Sequence, residues 1–308
     1  MRFTLRQIEV FVAVVASENV SRAAESLSLS QSATSAALAE LEKQFDQQLF
    51  DRAGRRLRLN EQGRLLLPHA VDLLDRAGEI DALLRGERGL GSLRVGATLT
   101  IGNYLLPLIV SGFLQRHPES AVRLAVHNTA TIVAMLHRYE IDLGLIEGRT
   151  HDPELETEHW VDDELVAFCA PSHPLAGRAS VRFAELADQP WILREHGSGT
   201  RETLDDALHQ LGEVVQPRLE LEHTEAIKRA VESGLGVGCM SRLALRDAFR
   251  RGSLVALEMP ELDLRRGFSF VWHRGKYHSA AIRRFLGDCR AFVGDARRSD
   301  QIALPPVP

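Results

Sequence analysis

The 308-residue chain predicts an α/β protein in three parts: an N-terminal winged helix-turn-helix, a long linker helix, and a larger α/β domain of two lobes. Three observations predict it. Two short helices of small residues lie three residues apart near the N-terminus. A seam of apolar residues at alternating spacings of four and three follows them, and strand-like and helix-like segments then alternate to the C-terminus.

Apolar residues make up 44% of the chain and charged residues 26%, the balance of a globular protein with room for a substantial core. No stretch approaches eighteen uninterrupted apolar residues, and the opening Met1-Arg2-Phe3-Thr4-Leu5-Arg6 interrupts any signal-peptide core, so a cytoplasmic, membrane-free location is expected. A net charge of −5 argues against a protein that coats nucleic acid indiscriminately, so any DNA contact must be local. Cys169, Cys239 and Cys289 are scattered and odd in number, which suits buried free thiols rather than a disulfide framework or a metal knuckle.

Leu5, Ile8, Phe11, Val12 and Val15 fall on one face of a first helix that ends near Ser17. Ser21 is the expected cap of a short second helix through Leu27. After a break at Ser28-Leu29-Ser30, Ser30 caps a third helix from Gln31 to about Phe45, with Ala33, Ala37, Leu41 and Phe45 as its expected buried stripe. Gln31, Ser32, Thr34 and Ser35 at its start are short or planar polar groups that suit base edges in a major groove, which makes this a candidate reading helix. Residues 49–52 and 56–59 bracket Ala53-Gly54-Arg55 as a small hairpin, and Arg52, Arg55, Arg56 and Arg58 place four guanidinium groups within seven residues, where phosphates would lie. Residues 1–60 carry a net charge of only +1, so the clustering matters and the total does not.

These residues carry a resemblance. Phe11-Val12-Ala13-Val14, Ser21-Arg22-Ala23-Ala24-Glu25-Ser26-Leu27, Ser30-Gln31-Ser32-Ala33-Thr34-Ser35, Leu41-Glu42 and Leu49-Phe50-Asp51-Arg52 together resemble the LysR-type transcriptional regulators, and the likeness covers nearly the whole chain. It implies that Gln31, Ser32 and Ser35 face double-stranded promoter DNA, with Arg52 on the wing and Ser21, Thr34, Arg55 and Arg56 as further DNA-side candidates. Ala36 departs from the basic residue that many members carry there.

Beyond the wing, Leu66, Ala70, Leu73, Ala77, Ile80 and Leu84 form a coiled-coil-like seam that implies a partner helix. Asn60 is the expected cap of a helix from Glu61 to about Arg85, roughly 37 Å long at 1.5 Å per residue. Pro68 within it predicts a kink near Arg64 and Leu65 or a late start. Two heads set apart by such a rod suit a two-fold symmetric operator, so a homodimer is expected; the resemblance also allows a homotetramer and RNA polymerase as a further partner.

The expected domain boundaries are 1–60 for the winged head, 61–88 for the rod, 89–296 for the two-lobed domain and 297–308 for a flexible tail, with a glycine-rich hinge at 86–92. Lobe 1 is expected at about 92–162 and 266–296, and lobe 2 at about 163–265. Strands are expected at 93–97, 122–126, 143–146, 165–170, 190–194, 217–222, 254–258 and 268–272, and helices near 101–116, 130–139, 201–211, 225–233 and 278–293. The resemblance implies a periplasmic-binding-protein-like fold in which the C-terminal segment returns to complete the first lobe.

Ligands of open α/β sheets sit beyond the carboxyl ends of the strands. Three hydroxyl-rich loops fall there: Thr98-Leu99-Thr100, Asn128-Thr129-Ala130-Thr131, and Gly197-Ser198-Gly199-Thr200 leading into a helix at Arg201. Each is expected to offer free backbone N–H groups to an anion, and Arg194 and Arg201 bracket the last loop as bidentate partners. Glu147, Glu225 and Met240-Ser241 lie at further element ends. The effector is therefore expected to be a small anion between the lobes, a short carboxylate or an oxyanion. The runs 96–104 and 193–201 are similar to a branch of the family whose effectors include sulfite.

The twelve histidines show no HxH, HxxxH or HExxH spacing, so neither a metal nor any other cofactor is expected from the pattern. The alternative is a solute-binding protein or an enzyme acting on a small anion on the same fold. The sequence offers such a protein no export segment, no G-x-S-x-G elbow and no cysteine with a recognisable base, so an enzyme is not expected.

Overall fold

The computed structural model describes residues 2–53, 56–85, 89–148 and 150–304, except for the side chains of Arg52, Ala53, Arg56 and Ala82. Arg55, the side chains of Arg52 and Arg56, positions 86–88 of the expected hinge and the last four residues thus lie outside the described residues.

The head comprises α1 (Leu5–Ser17), α2 (Val20–Ser26), α3 (Gln31–Phe45) and a hairpin of β1 (Phe50–Ala53) and β2 (Arg56–Leu59). Thr4 opens α1 with a reciprocal box: its hydroxyl accepts from Gln7 N, and Gln7 Oε1 accepts from Thr4 N. Ser21 is not the cap of α2. Asn19 is, because its longer amide side chain reaches Ser21 N at 2.8 Å and Arg22 N at 3.1 Å and so starts the helix at Val20. Ser30 caps α3 through Ala33 N at 3.2 Å. The buried stripe of α3 is Thr34, Leu38 and Leu41, while Ala33 and Phe45 are exposed, so the expected stripe is corrected to the adjacent row. Thr34 can be buried because its hydroxyl donates back to Ser30 O at 3.1 Å.

The rod, α4 (Glu61–Leu84), is capped by Asn60, which accepts from Gly63 N at 2.9 Å. It has no late start: Pro68 lies inside the helix and forgoes the bond to the Arg64 carbonyl. Its first half is sealed onto the head through Leu67, Ala70 and Val71, which pack with Phe11, Val14 and Phe50. Gly63 allows the approach, since a Cβ there would lie 2.3 Å from Leu49 O. Further along, Ile80, Leu83 and Leu84 are 59%, 76% and 81% exposed, a row of apolar side chains with no cover from their own chain.

The remainder runs β3 (Ser92–Ala97), α5 (Leu99–Tyr104), α6 (Leu106–Arg116), β4 (Ala121–Val126), α7 (Thr129–His137), β5 (Leu143–Glu147), β6 (Leu155–Cys169), α8 (Phe183–Leu186) and β7 (Trp191–Arg194). Then come α9 (Gly199–Gln210), β8 (Pro217–Leu221), α10 (Thr224–Glu232), β9 (Val237–Ser241), α11 (Arg242–Arg251), β10 (Val255–Leu257), β11 (Arg265–His273) and α12 (Ala280–Val293). The strand order is β4-β3-β5-β11-β6-β9-β7-β8, with β10 added to β6. Strands β3, β4 and β5 are parallel, as are β7, β8 and β9, the arrangement that βα units produce.

Strands β6 and β11 join the two halves. The early part of β6 pairs with β11, from His273 opposite Leu155 to Arg265 opposite Glu164, and its later part pairs with β9 and β10. One lobe is built around Phe113, Phe268, Phe270 and Phe285, the other around Trp191, Leu193 and Leu204. The chain does pass back into the first lobe through β11 and α12.

Three expectations need correction. The helix near 101–116 is two helices separated at Leu105, and the strand expected from 165 begins at Leu155. The tail is not free as far as residue 304. Ser299 is buried and donates to Asp163, Arg298 pairs with Glu164 at 2.9 Å, and Ile302 is buried in the lobe 1 core, so polar and apolar contacts both hold it. Cys169, Cys239 and Cys289 are free and buried, and burial pushes the Cys169 thiol up to about 11 and the Cys239 thiol up to about 12, which disfavours their thiolate forms.

Candidate functional site

In the head, Ser30 fixes the start of α3 so that Gln31, Ser32 and Ser35 stand exposed, with the Ser32 hydroxyl 3.0 Å from that of Ser30. Ser21 and Arg22 are exposed on α2, and Arg58 and Asp51 on the hairpin. Leu57 N bonds Glu18 O at 3.1 Å and ties the hairpin to the end of α1. Thr34 is corrected: fully buried and bonded to its own helix, it cannot reach a base edge.

Between the lobes, the three hydroxyl-rich loops meet. Gly199 N donates to Thr129 Oγ1 at 3.3 Å, Ala130 N to Gly197 O at 3.1 Å, and Asn128 Nδ2 to Glu195 Oε1 at 3.0 Å. Gly199 is required there, since a Cβ would lie 2.2 Å from Glu147 O. Thr98, Leu99, Thr100, Thr129, Ser198 and Thr200 are all buried around this junction, and the Thr98 hydroxyl has no hydrogen-bond partner.

At its centre lies Glu147. Its Oε1 accepts from Thr100 N at 2.6 Å, and its Oε2 accepts from Thr200 Oγ1 at 3.1 Å, so one carboxylate ties the start of α5 to the start of α9. Arg266 Nη2 lies 2.9 Å from Glu147 Oε2 as an ion pair rather than an aligned hydrogen bond. The same guanidinium donates through Nε to Asp163 Oδ2 at 2.7 Å and through Nη1 to Thr200 Oγ1 at 3.0 Å. Burial alone would raise both carboxyls. For Glu147 the Arg266 and Arg194 charges and the Thr100 amide outweigh burial and hold its pKa below the ordinary range. For Asp163 burial wins over Arg266 and the Ser299 and Ser241 hydroxyls, and the pKa is raised. One guanidinium cannot fully compensate two buried carboxylates.

The loop amides are therefore not free as expected: Thr100 N holds Glu147, Thr131 N holds Asn128 Oδ1 at 3.0 Å, and Gly199 N holds Thr129. The arginines are corrected too. Arg194 is held bidentately by Glu195, at 2.8 and 2.9 Å. Arg201 turns away, pairing with Asp205 at 2.8 Å and Glu220 at 3.5 Å while donating to Arg194 O. The helix it was expected to open starts two residues earlier, at Gly199. Thr131 is exposed. Glu225 lies elsewhere, in a bridge between the lobes: its Oε1 accepts from Tyr104 Oη at 2.7 Å and pairs with the buried Lys228 at 2.5 Å, and Lys228 also donates to Tyr104 Oη.

Sequence reasoning missed Arg266, Asp163, Tyr104 and Lys228. Asp163 stands inside the charged run Asp162-Asp163-Glu164 and Arg266 beside Arg265, so neither is singled out by its neighbours, and the two are more than a hundred residues apart in sequence.

The far ends of the same strands meet the rod. Just before β5, Asp142 takes Arg94 Nη2 at 2.6 Å and Lys276 Nζ at 3.1 Å, and Lys276 Nζ also reaches Asp75 of α4 at 2.5 Å. Tyr277 donates from its N to Asp72 and from its hydroxyl to Glu79, both on α4, while Arg76 of α4 stacks over the Tyr277 ring at 4.3 Å. Strand β5 thus runs directly from the rod contact at Asp142 to the cleft at Glu147, and β11, its antiparallel neighbour, ends three residues before Lys276.

Known proteins match both parts. Residues 5–64 match the bacterial regulatory helix-turn-helix protein model of the lysR family, and residues 86–293 match the LysR substrate binding domain. The helix-turn-helix-type transcriptional regulator YeiE of Escherichia coli strain K12 is 44% identical over 289 residues, covering 94% of this chain and 98% of that relative. Among solved structures, the Synechocystis PCC6803 CcmR regulatory domain in complex with 2-PG superposes with a TM-score of 0.63 at 30% identity, over 67% of this chain and 99% of that one. Full-length OxyR from Pseudomonas aeruginosa superposes with a TM-score of 0.73 at 22% identity over 94% of this chain and 95% of that one, a likeness of fold. Among the described residues no helix is long and apolar enough to cross a membrane.

Proposed function

The chain belongs to the LysR family of bacterial transcriptional regulators, and from that premise we propose how its parts divide the work of a DNA-binding, effector-responsive regulator. The head reads DNA through Gln31, Ser32 and Ser35, with Ser21 and the hairpin arginines Arg52, Arg55, Arg56 and Arg58 on phosphates. The exposed row Ile80, Leu83 and Leu84 supports dimerisation through the rod, because such a strip gains by burial against a second copy. Pairs of dimers forming tetramers, contact with RNA polymerase and a cytoplasmic location extend the same reading.

The effector enters between the lobes at Thr98, Thr100, Thr129, Ser198 and Thr200. The single observation that carries this is Glu147, which bonds the starts of α5 and α9 at once and sits where the cleft's hydroxyls converge. Its charge also sets the ligand's character. A dianion would face a buried carboxylate, so the ligand is a small monoanion or one that presents a proton to Glu147, such as hydrogen sulfite or a short hydroxy-carboxylate. The CcmR regulatory domain holding 2-PG supports a small ligand in this fold. Closing or opening the lobes then shifts β5 and β11 against the rod through Asp142 and Lys276 and changes how the two heads are held.

A footprint of the gene's own upstream region, with and without sulfite, sulfate, phosphate and short carboxylates, tests this. Two protected half-sites spaced by a helical turn or its multiples are expected, with the pattern altered by the ligand that also raises the protein's Tm. No protection at low salt under any of these conditions contradicts the reading.

A further inference from the structure

We infer that lobe 1 carries a binding site for one divalent first-row transition cation, formed by His137, His273 and the carboxylate of Glu154. Each offers a ligand atom, and these atoms lie within 4.8 Å of one another. The three are distant in sequence, which is why no histidine spacing announces them: His137 ends α7, Glu154 precedes β6, and His273 ends β11.

Proximity alone is common among surface acids and histidines; the surrounding contacts distinguish this group. A metal-bound imidazole ordinarily donates its second ring N–H to a carboxylate or backbone carbonyl, which fixes the tautomer and aims the other nitrogen at the ion. Both rings have that partner. His137 Nε2 lies 2.6 Å from Asp152 Oδ2, leaving Nδ1, at 3.1 Å from Glu154 Oε2, as the coordinating nitrogen. His273 Nδ1 lies 2.8 Å from Arg274 O and 2.7 Å from the Tyr139 hydroxyl, which leaves Nε2 for an ion. Asp152 is itself fixed, its Oδ1 accepting from Glu154 N at 2.9 Å.

Two further features favour a cation. His137 is the last residue of α7, where the helix dipole is negative. Bonds of about 2.0–2.2 Å to such an ion require the ligand atoms to draw in by about an ångström. Glu154, whose side chain is 66% exposed, has the freedom to do so. Two imidazoles and one carboxylate with open positions suit zinc, iron, cobalt or nickel and disfavour magnesium, which prefers oxygen ligands.

The place gives the site a consequence. Tyr139, bonded to His273, packs into the apolar cluster shared by α1 and α4, and His273 lies three residues before the Lys276 that grips α4. An ion here would stiffen the seam between lobe 1 and the rod.

Titration of the full-length, EDTA-dialysed protein with Zn2+ against a fluorescent chelator tests the site. One tight equivalent is expected in the wild type, undisturbed by millimolar Mg2+. Its affinity should fall at least tenfold in Glu154→Gln and His137→Gln, and about 10–100-fold in Asp152→Asn, which touches no metal. All three positions are at least partly exposed, and circular dichroism will show that the variants remain folded. The inference is overturned if the wild type shows no such equivalent, if Mg2+ displaces it, or if the three variants keep it unchanged, which would place the zinc on other histidines.

Discussion

Arg266 shows how much one side chain decides. It is fully buried between Glu147 and Asp163, and removing one partner of such a cluster commonly costs about 3–5 kcal/mol because the remaining charges stay buried. Arg266→Ala should lose stability by that order in urea unfolding at pH 7. The pH dependence gives a sharper sign. In the wild type, Glu147 and Asp142 have pKa values below the ordinary range, so the unfolded chain binds more protons in acid, and their stabilisation, present above the unfolded-state values, is lost as pH falls through the folded ones. In Arg266→Ala the two cleft carboxyls are left in a buried site without their guanidinium, so the folded pKa of Glu147 rises above the unfolded one and that of Asp163, already raised in the wild type, rises further. The variant should therefore gain stability as pH drops from 7 towards 5, and a monotonic loss over that interval would contradict the assigned role. On the head, Arg58→Ala should weaken DNA binding across sequences and reduce the salt slope by about one, whereas Ser32→Ala should relax preference at particular base pairs. Anisotropy titrations at several salt concentrations separate the two, and the reverse pattern would mean that the faces have been exchanged.

At the scale of elements, what was legible in the sequence was what local chemistry determines. Ser30 and Asn60 are caps whose side-chain oxygens act three residues away, and both were readable. Ser21 misled because a neighbouring residue of equal capping aptitude, Asn19, sits two positions earlier. Strand β9 was not among the expected strands; in the fold its Gly238 lies against the Phe168 ring, where a Cβ would meet it at 2.6 Å. Of the candidate site, the hydroxyl loops were visible, since serine and threonine at strand-to-helix junctions follow from the βα pattern. Glu147 was named as a candidate at a strand end, but its pairing with Arg266 was not legible, because β5 and β11 become neighbours only through a crossover of more than a hundred residues. The rod carries its own prediction. Leu83→Lys with Ile80→Lys places charge in an exposed apolar row, and light scattering at micromolar concentration should show a shift towards monomer with the helical signal retained. An unchanged oligomeric mass would remove the rod from the interface.

For the whole molecule, the proposed function rests on a mechanical connection between two distant places, the cleft at Glu147 and the rod at Asp75, joined by two adjacent strands. Lys276 is the group that spans the far end, and its ammonium is buried between Asp75 and Asp142. Lys276→Met keeps the apolar stem and removes the charge. Effector binding and unliganded DNA binding should both persist within a few-fold, while the effect of one on the other falls towards none. Persisting coupling in that variant would move the connection elsewhere.

The most decisive experiment measures the coupling itself, in both directions, on one preparation. Calorimetry gives the affinity of the stabilising anion for the free protein and for the protein saturated with its upstream duplex, and anisotropy gives duplex affinity with and without that anion. Linkage requires the two ratios to be equal, and regulation requires them to differ from one, typically by about 5–150-fold. Equal ratios in that range are the expected result; a ligand that binds the cleft with the same affinity whether or not DNA is present would contradict effector control of the DNA-binding heads.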